Sequence, residues 1–120
     1  MLLIRRAAFT IAAVLAFSSA ECAVAGFVSG SDLLESCAPS RADRGYRLKV
    51  AECRGYVIGV ADTFDCKNQL LGFSWRNNME ASQQELVDVV IRWISRHPDI
   101  LFYEADGLVA AALSEQFPCP

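Results

Sequence analysis

Cysteine placement constrains this chain more than any other feature of its 120 residues. The cysteines are Cys22, Cys37, Cys53, Cys66 and Cys119, and the first lies in a stretch built like a secretory leader. Arg5 and Arg6 form a short basic region, Ala7 to Phe17 is an apolar run, and Ala23-Val24-Ala25 is a small-residue cleavage site before Gly26. A membrane span needs about 20 apolar residues, and Glu21 interrupts this run too early. Glu21 is also ill suited to the position before a lipidated cysteine at Cys22. Cutting after Ala25 removes Cys22 and leaves Cys37, Cys53, Cys66 and Cys119, an even set in a short exported chain. That reads as two disulfides in an oxidising compartment, here a Gram-negative periplasm. No C-x-x-C pair occurs, which argues against a redox-active dithiol or a zinc knuckle.

The cut defines residues 1–25 as a signal peptide and residues 26–120 as one domain, with no membrane association once the leader is gone. Losing Arg5, Arg6 and Glu21 takes 11 basic and 14 acidic residues to 9 and 13, a net charge of −4. Nucleic acid rewards a basic face, so it is excluded as a partner. A domain this short buries only about two thirds of the surface its unfolded chain exposes. Two disulfides, at roughly 2–4 kcal/mol each, then contribute a large part of its margin.

Apolar residues recur at helical rather than alternating spacing. Ser31 is placed to cap a short helix over Asp32–Cys37, which Pro39 ends. A second helix is expected over Tyr46–Phe64, where Tyr46, Val50, Cys53, Val57, Val60 and Phe64 share a face. Ala51, Gly55 and Gly59 fall four apart on this helix and would let another helix approach closely, in the core or between subunits. Ser82 and Glu85 form an S-x-x-E capping box ahead of the third helix, with Leu86, Val90 and Trp93 on its apolar face. Asp88 and Arg92 are spaced as an ion pair on its wet side. The fourth helix is expected to run from Pro98 to Phe117, with Pro98 at its first position, Asp99 against the dipole and Gly107 as a further close-contact point. The fold class is all-α: a small antiparallel bundle of about four helices, stapled by disulfides.

Between the second and third helices, Asp65 to Ala81 is the least periodic part. Phe73, Trp75, Arg76, Asn77 and Asn78 cluster there, a composition matching protein-interface hot spots. They form the expected partner-binding set, unless Phe73 and Trp75 fold back onto the core. Catalysis finds little support. The single histidine, His97, sits at a helix junction, where an imidazole can satisfy helix-end groups without reacting. The cysteines are expected to be oxidised. Asp62 with Asp65, and Glu104 with Asp106, lack the partners that acid–base or metal chemistry requires. No catalytic residue, cofactor or metal is expected.

Three short motifs follow in order: C-x-G-Y-x-x-G spans Cys53 to Gly59, H-P is His97-Pro98, and A-L-x-x-x-F-P-C spans Ala112 to Cys119. In this order and spacing, from about Ser31 to Cys119, the chain resembles the Tai/Rap-type family of immunity proteins found with type VI secretion systems. The resemblance implies a helical periplasmic protein, commonly a homodimer, that binds a cognate peptidoglycan amidase effector and obstructs its active-site cleft without turnover. It is weakest over Leu70 to Met79, the stretch expected to make the contact. The alternative is a periplasmic helical stress protein of the HdeA-like chaperone type with no toxin partner. The preferred disulfide pairing is Cys37 with Cys53 and Cys66 with Cys119, although four cysteines admit other connectivities.

Overall fold

Four α-helices and one 3-10 turn make up the regular structure of the computed structural model, which describes residues 27–77 and 80–120. The leader assigned to residues 1–25 lies outside the described residues. The helices are α1 (Gly30–Cys37), α2 (Tyr46–Ala61), α3 (Gln83–Ser95) and α4 (Ala105–Gln116), with the 3-10 turn at Pro98–Ile100. Among the described residues, β-type pairing is limited to two isolated bridges. No helix there is long and apolar enough to cross a membrane.

The first helix starts earlier than Ser31. Ser29 is its cap: the hydroxyl accepts from the Asp32 backbone N–H, and the Asp32 carboxylate accepts from the Ser29 backbone N–H at 2.9 Å. Ser31 is inside the helix, and its N–H donates to Leu101 O at 2.9 Å. That bond belongs to a set. Gly30 N–H donates to Tyr103 O, and Ala105 N–H donates to Val28 O, both at 2.9 Å. The expected single helix from Pro98 to Phe117 is broken for this reason. The Leu101 and Tyr103 carbonyls take the orphan donors at the start of α1 instead of continuing a helical ladder. Pro98 therefore opens a 3-10 turn, and α4 begins only at Ala105.

Gly30 is what permits this approach. A Cβ there would overlap Leu108 Cδ1 and lie 3.0 Å from the Leu101 carbonyl oxygen. The expected close-contact glycines behave otherwise. Gly55 and Gly59 have nothing within 4 Å of a built Cβ, and Gly107 meets only Leu71 Cδ1 at an ordinary 3.5 Å. Ala51, Gly55 and Gly59 thus line an exposed face of α2 rather than an internal helix contact.

The core runs through all four helices, with Leu33, Val57, Val90, Ile94, Val109 and Leu113 buried. α2 ends at Ala61 rather than Phe64; the Thr63 hydroxyl donates to Val60 O, and Phe64 turns inward to join the core. At α3 the Ser82 hydroxyl accepts from Glu85 N–H at 3.1 Å, as the capping signature requires. Asp88 accepts from Gln84 Nε2 at 2.9 Å in place of the expected Arg92 pairing. The disulfides are Cys37–Cys53 and Cys66–Cys119, separated by 16 and 53 residues. On chain-entropy grounds these loops restrict the unfolded state by about 3 and about 4 kcal/mol.

His97 closes the third helix. Its Nδ1 lies 2.6 Å from Trp93 O, and since a carbonyl only accepts, that nitrogen carries the proton. The ring stacks on the Trp93 indole at 4.1 Å, and its backbone N–H donates to Ile94 O. One nitrogen and one face of the imidazole are therefore taken up by architecture, by a helix-end carbonyl and by a ring.

A candidate contact site built by a hairpin and the start of the fourth helix

The chain leaving α2 is fixed before it reaches the surface. Asp65 accepts from the backbone N–H groups of Lys67 and Asn68 at 2.7 and 2.8 Å, closing a tight turn. Those bonds, the Asn68 N–H first, hold its carboxyl below the usual carboxylate range. Cys66 then ties the turn to Cys119 near the chain end. Arg76 N–H donates to Phe117 O at 2.8 Å, fastening the far side of the same segment to the same strip of chain.

Between these anchors lies a two-residue hairpin. Leu70 and Phe73 exchange both backbone hydrogen bonds, at 2.9 and 2.8 Å. Leu71 and Gly72 between them have φ of 51° and 82°. Positive φ at both central residues is the pattern of a type I′ turn, which favours Asn-Gly or Gly-Gly. Glycine satisfies it at Gly72. A leucine at Leu71 is strained, since the left-handed region costs a side chain with a Cβ roughly 1–2 kcal/mol. This strained leucine is also 64% exposed, so packing inside the protomer does not explain it.

The expected contact residues divide sharply. Trp75 is 2% exposed; its indole N–H donates to Phe64 O at 2.7 Å, and its ring lies against Phe64 and Phe117 at about 6 Å between centroids. It has no surface to offer a partner, and it belongs to the core as the base on which the hairpin stands. Phe73 is 37% exposed, and Arg76 and Asn77 are exposed beside it. Asn78 lies outside the described residues.

Opposite the hairpin, sequence reasoning missed half of the surface. Phe102 and Tyr103, their tilted rings 4.3 Å apart between centroids, are 67% and 52% exposed. A cleft of about 390 Å³ separates the two groups, with Leu71 and Phe73 on one side and Tyr103 and Glu104 on the other. α4 contributes Gly107 and Ala111, one turn apart, to the same cleft. Phe102 and Tyr103 sit in what reads as a helix interior, and that reading hid their exposure; Gly107 was the one visible hint. A second cavity, of about 430 Å³, lies between α1 and α2 and includes Leu33, Glu52, Gly55 and Tyr56.

Chemically the site offers shape, apolar area and one charge. Among the described residues, no group of three or more His, Cys, Asp or Glu side chains is placed to hold a metal ion. Glu104 is the sole ionisable carboxylate on the cleft. An exposed apolar patch rimmed by polar groups is the kind of surface that proteins use for interaction or for binding a ligand.

Comparison with known proteins gives a family. The family model described as Rap1a immunity proteins matches residues 29–119, from the Ser29 cap to the second disulfide. No curated protein matches the chain at a significant level.

Proposed function

The chain belongs to the Rap1a immunity protein family, and on that premise we propose that it is exported to the periplasm, where it binds and occludes the active-site cleft of a cognate peptidoglycan amidase effector of a type VI secretion system. The family match over residues 29–119 carries this reading. The hairpin supplies its physical means: a rigid, twice-anchored tip that presents Leu71 and Phe73 beside Arg76 and Asn77. A tip already fixed in the bound geometry loses little conformational freedom on docking, so more of the buried apolar area appears as affinity.

Inhibition is then stoichiometric and needs no chemistry from the immunity protein, which acts as a binding protein and not as an enzyme. The protein works as a homodimer. The exposed stripe of Ala51, Gly55 and Gly59, with open space above both glycines, supports a helix-to-helix subunit contact.

The test is titration of a purified amidase, which this reading expects to be encoded beside the protein's gene. The mature chain should abolish peptidoglycan cleavage at a one-to-one ratio of protomers, and Phe73→Ala with Arg76→Ala should relieve inhibition while leaving the melting temperature unchanged. Full hydrolytic activity in the presence of excess wild-type protein at micromolar concentration sinks the proposal.

A further inference from the structure

We infer that the cleft between the hairpin and Tyr103 receives a basic-and-apolar element of the effector: an apolar side chain entering between Leu71, Phe73 and Tyr103, with a lysine or arginine nitrogen beside it meeting Glu104. The inference rests on the immunity reading for the identity of the partner. It makes the contact two-way, because the immunity protein then takes in part of the effector as well as covering it.

Three observations carry it. The first is shape: the cleft is formed by two segments far apart in sequence, and its middle is kept open by Gly107 and Ala111, the smallest side chains α4 can offer there. Gly107 has only Leu71 Cδ1 at 3.5 Å near a built Cβ, so the small residue is not imposed by packing within the protomer. The second is strain at Leu71, a leucine held at φ 51° with its side chain largely exposed at the edge of this cleft. Backbone strain of this kind persists where the surrounding structure enforces it, and it gathers at ligand-contacting sites.

The third is charge. Glu104 caps α4 without a side-chain hydrogen bond to the helix. The ion pairs found among the described residues, Lys49 with Glu35 and Lys49 with Asp43, lie elsewhere. Asp106 stands two residues further on, its carboxylate accepting from Gly107 N–H at 2.7 Å. The negative potential reaches Tyr56, whose phenol is pushed above its ordinary value by burial first and then by Asp106 and Glu104. A cation is therefore the complement, and an anionic or purely apolar occupant is disfavoured.

The cleft can be tested with a small probe before the effector is used. 2-Phenylethylamine carries one aromatic ring and one ammonium. Titrated into the mature protein and followed by amide NMR shifts, it should perturb Leu71, Phe73, Tyr103 and Gly107 saturably, whereas 3-phenylpropionate should not. Glu104→Gln should weaken the probe about threefold, the size of an exposed charge pair. Ala111→Leu, which fills the cleft, should abolish saturation with the fold intact by circular dichroism. Shifts scattered over the surface, or equal binding of both probes, overturn the inference. With the amidase, Glu104→Lys should weaken inhibition at least about tenfold by like-charge juxtaposition. If wild type inhibits and Ala111→Leu inhibits equally well, the cleft is not used, and the immunity reading stands without it. If wild type does not inhibit at all, the immunity reading and this inference fall together.

Discussion

The start of α1 and the hairpin at Leu70–Phe73 are both places where backbone groups lack helical partners, and they meet that need in opposite ways. At α1, Gly30 and Ser31 send their N–H groups across the molecule to Tyr103 and Leu101, so a local deficit becomes a long-range tie. Approach that close demands a glycine, and Leu33 and Leu108 are buried around it. At the hairpin, Leu70 and Phe73 satisfy one another. The backbone then asks nothing of the rest of the protein; Leu70 packs back against the core, while Leu71 and Phe73 are left exposed. Long-range satisfaction produces a joint; local satisfaction produces a presenting surface.

Variants can break or sharpen this contrast. The largest effect is expected at Trp75, the core residue beneath the hairpin. Trp75→Ala should cost about 3–5 kcal/mol, as for other buried aromatics, read as a fall in denaturant midpoint; a loss confined to effector binding would mean that the indole faces the partner. Gly30→Ala strikes the joint, where the added methyl collides with Leu108 and crowds the Leu101 carbonyl. Overpacking of this kind costs roughly 1–3 kcal/mol, and hydrogen exchange should quicken at Gly30, Ser31 and Ala105 before it does in α3. Gly55→Ala, with open space around it inside α2, escapes this collision and should stabilise the monomer by about 0.5–1 kcal/mol through helix propensity.

At the hairpin the sign should reverse. Leu71→Asn relieves the left-handed leucine and should raise stability by about 1 kcal/mol, yet weaken binding to the amidase. A gain in both would show that Leu71 is not a contact. The smallest effect concerns pH. The Ser29 backbone N–H and then its hydroxyl hold the Asp32 carboxyl below its usual range. Because the folded value is the lower one, this stabilisation is present above the unfolded carboxylate pKa, near 3.9, and is lost as pH falls through the folded value. Asp32→Asn should flatten the acid side of the stability profile, measured by thermal melts from neutral pH downward, without affecting the hairpin.

Much of the bundle was legible in the chain. Ser82 with Glu85 located the start of α3, and the apolar spacing of Cys53 and Val57 gave the buried face of α2. Cysteine parity implied two disulfides, and the preferred pairing is the one found. The cap and the spacing are local signals, carried by residues within a turn or two of each other, and parity is a property of composition; the pairing itself joins residues 16 and 53 apart. The surface proposed for contact was only partly legible. Phe73, Arg76 and Asn77 are where the composition pointed, but Trp75 is in the core, and Leu71, Tyr103 and Glu104 were passed over.

By itself, then, the sequence determined the fold class, the number of disulfides and the cap of α3, because cysteine parity is a matter of composition and capping chemistry and hydrophobic period act over short distances. Only the tertiary structure decided that the stretch from Pro98 breaks to serve α1, that Gly30 rather than Gly55 or Gly59 is the tight glycine, and that two distant connections share one cleft. Each of those outcomes depends on which backbone groups meet across the molecule. That is set by three-dimensional packing, and no window along the chain contains both partners.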